Sequence, residues 1–115
     1  MSFRPLVLLV DDDPIMRDVL AAYFNVHGGF RISGVGADGF EGAMLACDMP
    51  PDVAVIDHNM PRWDGERAAA FIRERSPWTK IVAFSAIVHE KPEWADEFLP
   101  KRDIDGLVPL VESLA

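Results

Sequence analysis

Three short segments of the chain are apolar without interruption: "LVLLV" (Leu6 to Val10), "VAVI" (Val53 to Ile56) and "IVAF" (Ile81 to Phe84). A strand with one wet face alternates polar and apolar side chains, so unbroken runs this short belong to strands covered on both faces, as in a parallel sheet between layers of helices. The segments between them carry helical spacing: Ile15, Val19, Tyr23 and Val26 in the first, Phe40, Met44 and Cys47 in the second, Ala68, Phe71 and Ile72 in the third. "RISGV" (Arg31 to Val35) alternates instead and follows Gly28-Gly29, which suits an edge strand. The order up to Phe84 is therefore β-α-β-α-β-α-β. A fifth strand is predicted at Phe98 to Pro100; the other register, "GLVP" (Gly106 to Pro109), has no lysine after it and leaves too few residues for a closing helix. That helix places Ile104, Leu107, Val108, Val111 and Leu114 on one stripe, with Asp103 or Asp105 as cap and Pro109 in its first turn. The expectation is an α/β fold with a doubly wound five-stranded parallel sheet, whose ligand site lies beyond the carboxyl ends of the strands where strand order reverses.

The 115 residues fit a single domain spanning residues 1–115, long enough to bury one core. Half of them are hydrophobic and 26% are charged, the balance of a globular protein. Nineteen acids against eleven bases leave a net charge of −8, which opposes binding to phosphate backbones, so no direct nucleic-acid ligand is expected. No apolar run approaches membrane-spanning length and no charged-then-apolar leader opens the sequence, so a cytoplasmic protein without membrane contact is expected. Cys47 has no second cysteine to pair with and is read as a packed thiol on the buried side of its helix, in keeping with a reducing compartment.

Function turns on where the acids fall. "LVLLV" runs directly into Asp11, Asp12 and Asp13, and "VAVI" into Asp57. If those two strands are neighbours, at least three carboxylates converge on one pocket, where mutual repulsion raises their pKa values. A hard divalent cation such as Mg²⁺ removes the conflict and keeps positions open for phosphate oxygens. Single aspartates after strands are ordinarily helix caps, which would make Asp11 to Asp13 a solvated turn with an N-cap for a helix at Pro14 and Asp57 another cap; clusters after two separate buried strands do not reduce to caps. Ser85 and Ala86 follow the third apolar run and put a hydroxyl at the same rim, and Lys101 follows the proposed fifth strand with an ammonium that balances phosphate charge.

In this order, "LVDDDP" (Leu9 to Pro14), "DHNMPRWDG" (Asp57 to Gly65), "FSA" (Phe84 to Ala86) and "FLPK" (Phe98 to Lys101) resemble the receiver domains of two-component response regulators, from about Leu6 to the C-terminus. The resemblance implies a flavodoxin-like sheet of strand order 2-1-3-4-5. It implies that Asp57 accepts a phosphoryl group, that Asp11, Asp12 and Asp57 hold Mg²⁺ together with the backbone carbonyl of Asn59, and that Ser85 and Lys101 contact the phosphoryl group. It further implies a switch in which the Ser85 hydroxyl moves toward the phosphoryl group and Phe98 turns inward, with Asn59 and Ile87 tuning hydrolysis. The partners implied are a histidine kinase or phosphotransfer protein as donor and a downstream protein as target. Such a domain is a phosphoacceptor that assists its own phosphoryl transfer and dephosphorylation rather than an enzyme with an external substrate.

Two features depart from the family pattern. Only fifteen residues separate Ser85 from Lys101, so the fourth helix is expected to be shortened to a turn or two near Pro92 to Glu97 or replaced by an irregular loop. Arg102 stands where a proline often follows the lysine, so a trans peptide is expected there. Trp63, Trp78 and Trp94 are read as cover for the core, and His58, whose side chain should point away from that of Asp57, is given no chemistry. The chain stops where its last helix would finish, which suggests a stand-alone receiver or a part of something longer that signals by protein contact. Two rivals remain: a receiver fold that works without phosphorylation, and a haloacid-dehalogenase-like phosphohydrolase, whose nucleophile would follow the first strand in a setting that "DDDPI" fits poorly.

Overall fold

The computed structural model describes residues 4–87 and 89–115; Met1 to Phe3, and Val88 within the connection toward the fifth strand, lie outside the described residues. The expected runs form strands β1 (Leu6–Val10), β2 (Arg31–Gly36), β3 (Val53–Ile56), β4 (Lys80–Ser85) and β5 (Glu97–Pro100). All neighbouring pairs are parallel and the order across the sheet is β2-β1-β3-β4-β5. Helices α1 (Pro14–His27), α2 (Gly39–Asp48), α3 (Gly65–Arg75) and α4 (Leu107–Leu114) cover it, and a short 3₁₀ segment, Lys101–Gly106, kinked at Asp103, leads into α4.

Strand alternation divides the core in two. Val7, Leu9, Val53, Val55, Val82 and Phe84 point to one face and pack with Leu20 and Phe24 of α1 and with Leu107, Val108 and Val111 of α4. Leu8, Val10, Ala54, Ile56, Ile81 and Ala83 point to the other and pack with Ala46 of α2 and with Ala69 and Ile72 of α3. The first three helices begin on aspartate caps: Asp13 accepts from the Ile15 N–H, Asp38 from Glu41, and Asp64 from Arg67. No helix among the described residues is long and apolar enough to cross a membrane.

Several expectations are corrected at this level. The buried stripe of α1 is Leu20 and Phe24, with Met16 packed beside them; Ile15 and Val26 are 73% and 83% exposed. Cys47 is exposed, because α2 approaches the sheet through its small residues Gly42, Ala43 and Ala46. A Cβ at Gly42 would fall 2.7 Å from Val10 Cγ2, so the helix comes closest to the sheet at this glycine, while Leu45 packs against the second core from beside it. Neither Asp103 nor Asp105 caps α4, whose N-cap is Gly106 without a side-chain bond; Asp105 Oδ1 instead accepts the Tyr23 hydroxyl at 2.7 Å, tying the 3₁₀ segment to α1. Pro109 does fall in the first turn. Trp78 is 60% exposed and covers no core.

The connection from β4 to β5 contains no helix among its described residues; the shortened fourth helix is an irregular loop with one turn at Glu93 and Trp94. Its place against the second core is taken by Trp94 and Ala95. No peptide bond among the described residues is cis, including the one before Arg102.

The assignment of the α1 face is testable by equilibrium urea unfolding. Phe24→Ala should cost about 3–5 kcal/mol, whereas Ile15→Ala, an equally apolar deletion one face away, should stay within about 0.5 kcal/mol of the parent.

Candidate functional site

Register brings the acids together. Val10 lies opposite Ile56 in the β1–β3 pairing, so Asp11 and Asp57 leave adjacent strands at the same level. Backbone bonds fix both exits: the Asp57 N–H donates to the Val10 carbonyl at 3.0 Å, and the Asp11 N–H to the Gly36 carbonyl at 3.1 Å. Asp11 is 1% exposed and Asp57 is also buried, while Asp12 is open to solvent. One carboxylate oxygen from each of the three lies within 4.8 Å of the others.

Lys101, the first residue after β5, reaches into this cluster. Its Nζ lies 2.8 Å from Asp11 Oδ2 and 3.3 Å from Asp57 Oδ2. The other oxygens are held by backbone: Asp57 Oδ1 accepts the His58 N–H at 2.8 Å, and Asp11 Oδ1 accepts the Asp13 N–H at 2.9 Å. Burial raises the Asp57 pKa above the ordinary carboxylate value; the Lys101 ammonium opposes the rise and the Asp11 charge adds to it. Burial alone would lower the Lys101 pKa, but the Asp11 and Asp57 carboxylates together outweigh it and raise the ammonium above its usual value. Lys101 is thus a fixed cation.

The oxygen-only donor set fits a hard divalent ion. Three carboxylate oxygens within 4.8 Å of one another are the donor type that such an ion prefers, so Asp11, Asp12 and Asp57 are the residues that would hold it. Such an ion would also share the carboxylate charge that Lys101 neutralises alone.

The remaining residues singled out in the sequence are placed around this cluster. Ser85 ends β4 and is buried, its Oγ accepting the Ile87 N–H at 3.2 Å. Asn59 is exposed in the β3–α3 loop, two residues past Asp57. Phe98 is half-buried on β5, packed with the second core. The loop from Asp57 to Asp64 is fastened at both sides. Arg62 has a left-handed φ of 66°, unusual for a residue with a Cβ, and donates from Nε to Asp38 Oδ2 at 2.8 Å while its guanidinium lies over the Phe40 ring. At the other side, His58 stacks on Trp94. That contact is invisible in sequence, because the two residues are far apart in the chain and no pattern links them.

A family model described as the response regulator receiver domain matches residues 7–108. The chain is 34% identical over 113 residues to protein-glutamate methylesterase/protein-glutamine glutaminase 6 of Anaeromyxobacter dehalogenans, covering 94% of this chain and 32% of that protein. It is 32% identical over 85 residues to the nitrate/nitrite response regulator NarL of Escherichia coli, covering 74% of this chain and 39% of that protein. The chain thus spans well under half the length of these curated relatives. Among solved structures it is similar to the response regulator TrrA of Thermotoga maritima in complex with Mg²⁺ and BeF, with a TM-score of 0.85, 27% identity and full coverage of both chains. It is also similar to the response regulator domain of Thermotoga maritima CheB, with a TM-score of 0.85, 25% identity and coverage of 97% and 94%.

The raised pKa of Asp57 carries a sign. A carboxyl whose folded pKa exceeds its unfolded value contributes stability that is present at acid pH and lost as pH rises through the folded value, so at neutral pH the ionised group burdens the metal-free fold. Asp57→Asn in chelator-treated protein should therefore raise the thermal midpoint at pH 7, and the difference should shrink as pH falls into the carboxylate range. Scanning calorimetry across pH checks this. Mg²⁺ at ten times its dissociation constant should stabilise the wild type by about 1.4 kcal/mol, a shift of a few degrees, and Asp57→Asn should lose most of that gain.

Proposed function

The chain belongs to the response regulator receiver domain family, and from that membership we propose that Asp57 is its phosphoryl acceptor, charged by a histidine kinase or phosphotransfer protein in the cytoplasm. The observation that carries this reading is the convergence of Asp11, Asp12, Asp57 and Lys101 at the ends of three parallel strands. Residues 1–115 act as one domain whose output is contact with a downstream protein.

Asp11, Asp12 and Asp57 would hold Mg²⁺, with the Asn59 backbone carbonyl as a further ligand; the ion supplies charge neutralisation for the incoming phosphoryl oxygens. The rest of the chemistry belongs to the chain. An Asp57 carboxylate oxygen attacks phosphorus in line; the bond from phosphorus to the donor imidazole nitrogen breaks, and that nitrogen keeps the electron pair. The product is an acyl phosphate on Asp57. Lys101, already 3.3 Å from Asp57 Oδ2, balances the added charge, and the Ser85 hydroxyl at the end of β4 donates to a phosphoryl oxygen. Its shift toward that oxygen, with Phe98 turning inward, makes the signal a local rearrangement read at a surface. Hydrolysis by water, tuned by the side chains of Asn59 and Ile87, breaks the oxygen–phosphorus bond and restores the carboxylate. The domain therefore assists its own phosphorylation and dephosphorylation without an external substrate.

The β4–β5 connection, without a helix among its described residues, favours a second reading, a receiver fold that works without phosphorylation, because family members often meet their targets through the surface of helix four, strand five and helix five, and the first of these is missing here. One experiment separates the two. Incubation with acetyl phosphate and Mg²⁺ should add one phosphoryl group to the intact mass, chelator should abolish the gain, and Asp57→Asn should show none. If the wild type stays unmodified and beryllofluoride with Mg²⁺ leaves its spectrum unchanged, the contact-only reading replaces the first.

A further inference from the structure

The connection between β4 and β5 brings Trp94 back over the loop that carries Asp57. Its indole and the His58 imidazole have centroids 5.7 Å apart and planes 21° from parallel, a stacked pair. A Cβ at Gly65 would lie 2.4 Å from the Asp57 carbonyl oxygen and 2.9 Å from Trp94 Cη2. The glycine thus admits the indole edge and the Asp57 backbone together.

The main chain behind the indole is pinned. Arg73 Nη2 donates to the Trp94 carbonyl at 3.0 Å and lies 3.4 Å from Asp96 Oδ2. The same Asp96 oxygen accepts the Ile81 N–H at 2.8 Å, and Lys91 Nζ donates to the Ala95 carbonyl at 3.1 Å. Yet His58 Nδ1 and Trp94 Nε1 are both buried without a hydrogen-bond partner among the described residues. An aliphatic pair would fill the same space and leave no orphaned nitrogen, so packing alone does not account for these two rings.

Resting on Asp57 as the acceptor, we infer that Trp94 is a positioning residue for phosphoryl transfer: by holding His58 it fixes the Asp57–His58 peptide. The N–H of that peptide holds Asp57 Oδ1 at 2.8 Å while Lys101 holds Oδ2 at 3.3 Å, so the plane of the carboxylate depends on it. The peptide also immediately precedes Asn59, whose carbonyl is the proposed loop ligand. Trp94 is outside the set that would hold the metal or contact the phosphoryl group; it sets the geometry of residues in that set.

The test compares wild type with Trp94→Phe, Trp94→Ala, His58→Ala and the double alanine variant. Mg²⁺ affinity is read by calorimetry, and the initial rate of Asp57 phosphorylation by acetyl phosphate is read by intact mass. Trp94→Ala should weaken Mg²⁺ binding and slow the initial rate each by roughly tenfold, the scale of losing a residue that orients a ligand. Trp94→Phe should restore both to within about twofold, and the double variant should lose no more than either single one, as expected of residues acting through one contact. Should Trp94→Ala fail to fold by circular dichroism, His58→Ala carries the test from the other half of the stack. Wild-type affinity and rate in either folded alanine variant overturn the inference. If the wild type binds Mg²⁺ but takes no phosphoryl group, the acceptor reading fails by itself, and the Mg²⁺ affinities still decide whether Trp94 positions the loop.

Discussion

Two buried carboxylates at the exits of neighbouring strands repel each other, and the ammonium of Lys101 makes their closeness tolerable. Much of the architecture is needed to deliver that one group. β4 must pair with β3 and β5 with β4, and β5 must end level with Ser85, before Lys101 comes within reach of Asp11 and Asp57. The arrangement also makes the site exchangeable. A divalent cation held by the three aspartates would take over part of the carboxylate charge that Lys101 now neutralises, and under the proposed function this would leave the ammonium to an anion arriving on Asp57. Sheet order and phosphoryl chemistry are in this sense one constraint.

The loop between β3 and α3 is the second place where architecture and chemistry meet. It leaves the sheet at Asp57 and rejoins helix at Gly65, and each side is held by a different neighbour. Toward α2, Arg62 keeps its left-handed backbone with Asp38 as ion partner, while Trp63 packs edge-on against Phe40. Toward the β4–β5 connection, His58 and Gly65 meet Trp94. A loop carrying the left-handed Arg62 persists only where its surroundings over-determine it.

The sheet was readable in the chain because strands buried on both faces leave an unmistakable apolar record, and because each motif sits at a strand end, where topology rather than detail decides proximity. Helix faces were less readable. In α1, Ile15, Val19, Tyr23 and Val26 are spaced as regularly as Met16, Leu20 and Phe24, and only the packing shows that the second set, joined by Tyr23, lies against the core. In α2, the buried residues are the small Gly42, Ala43 and Ala46, with Leu45 packed beside them, and a spacing counted on Phe40, Met44 and Cys47 does not find that face; Cys47 lies in solvent. The sequence offers Asp103 or Asp105 as a cap, but the partner Asp105 takes is the hydroxyl of Tyr23, remote in sequence. The β4–β5 connection gave no periodic signal, and the contacts that organise it, Arg73 with Asp96 and Trp94 with His58, are tertiary in origin.

β5 has only four residues, starts on Glu97 and stops on Pro100, and its far side has no neighbouring strand among the described residues. Proline has no amide hydrogen to offer and a charged side chain resists burial, so this margin is a poor template for an extended segment of another polypeptide. The shape that sets the lysine in place therefore also discourages edge-to-edge polymerisation when many copies crowd together.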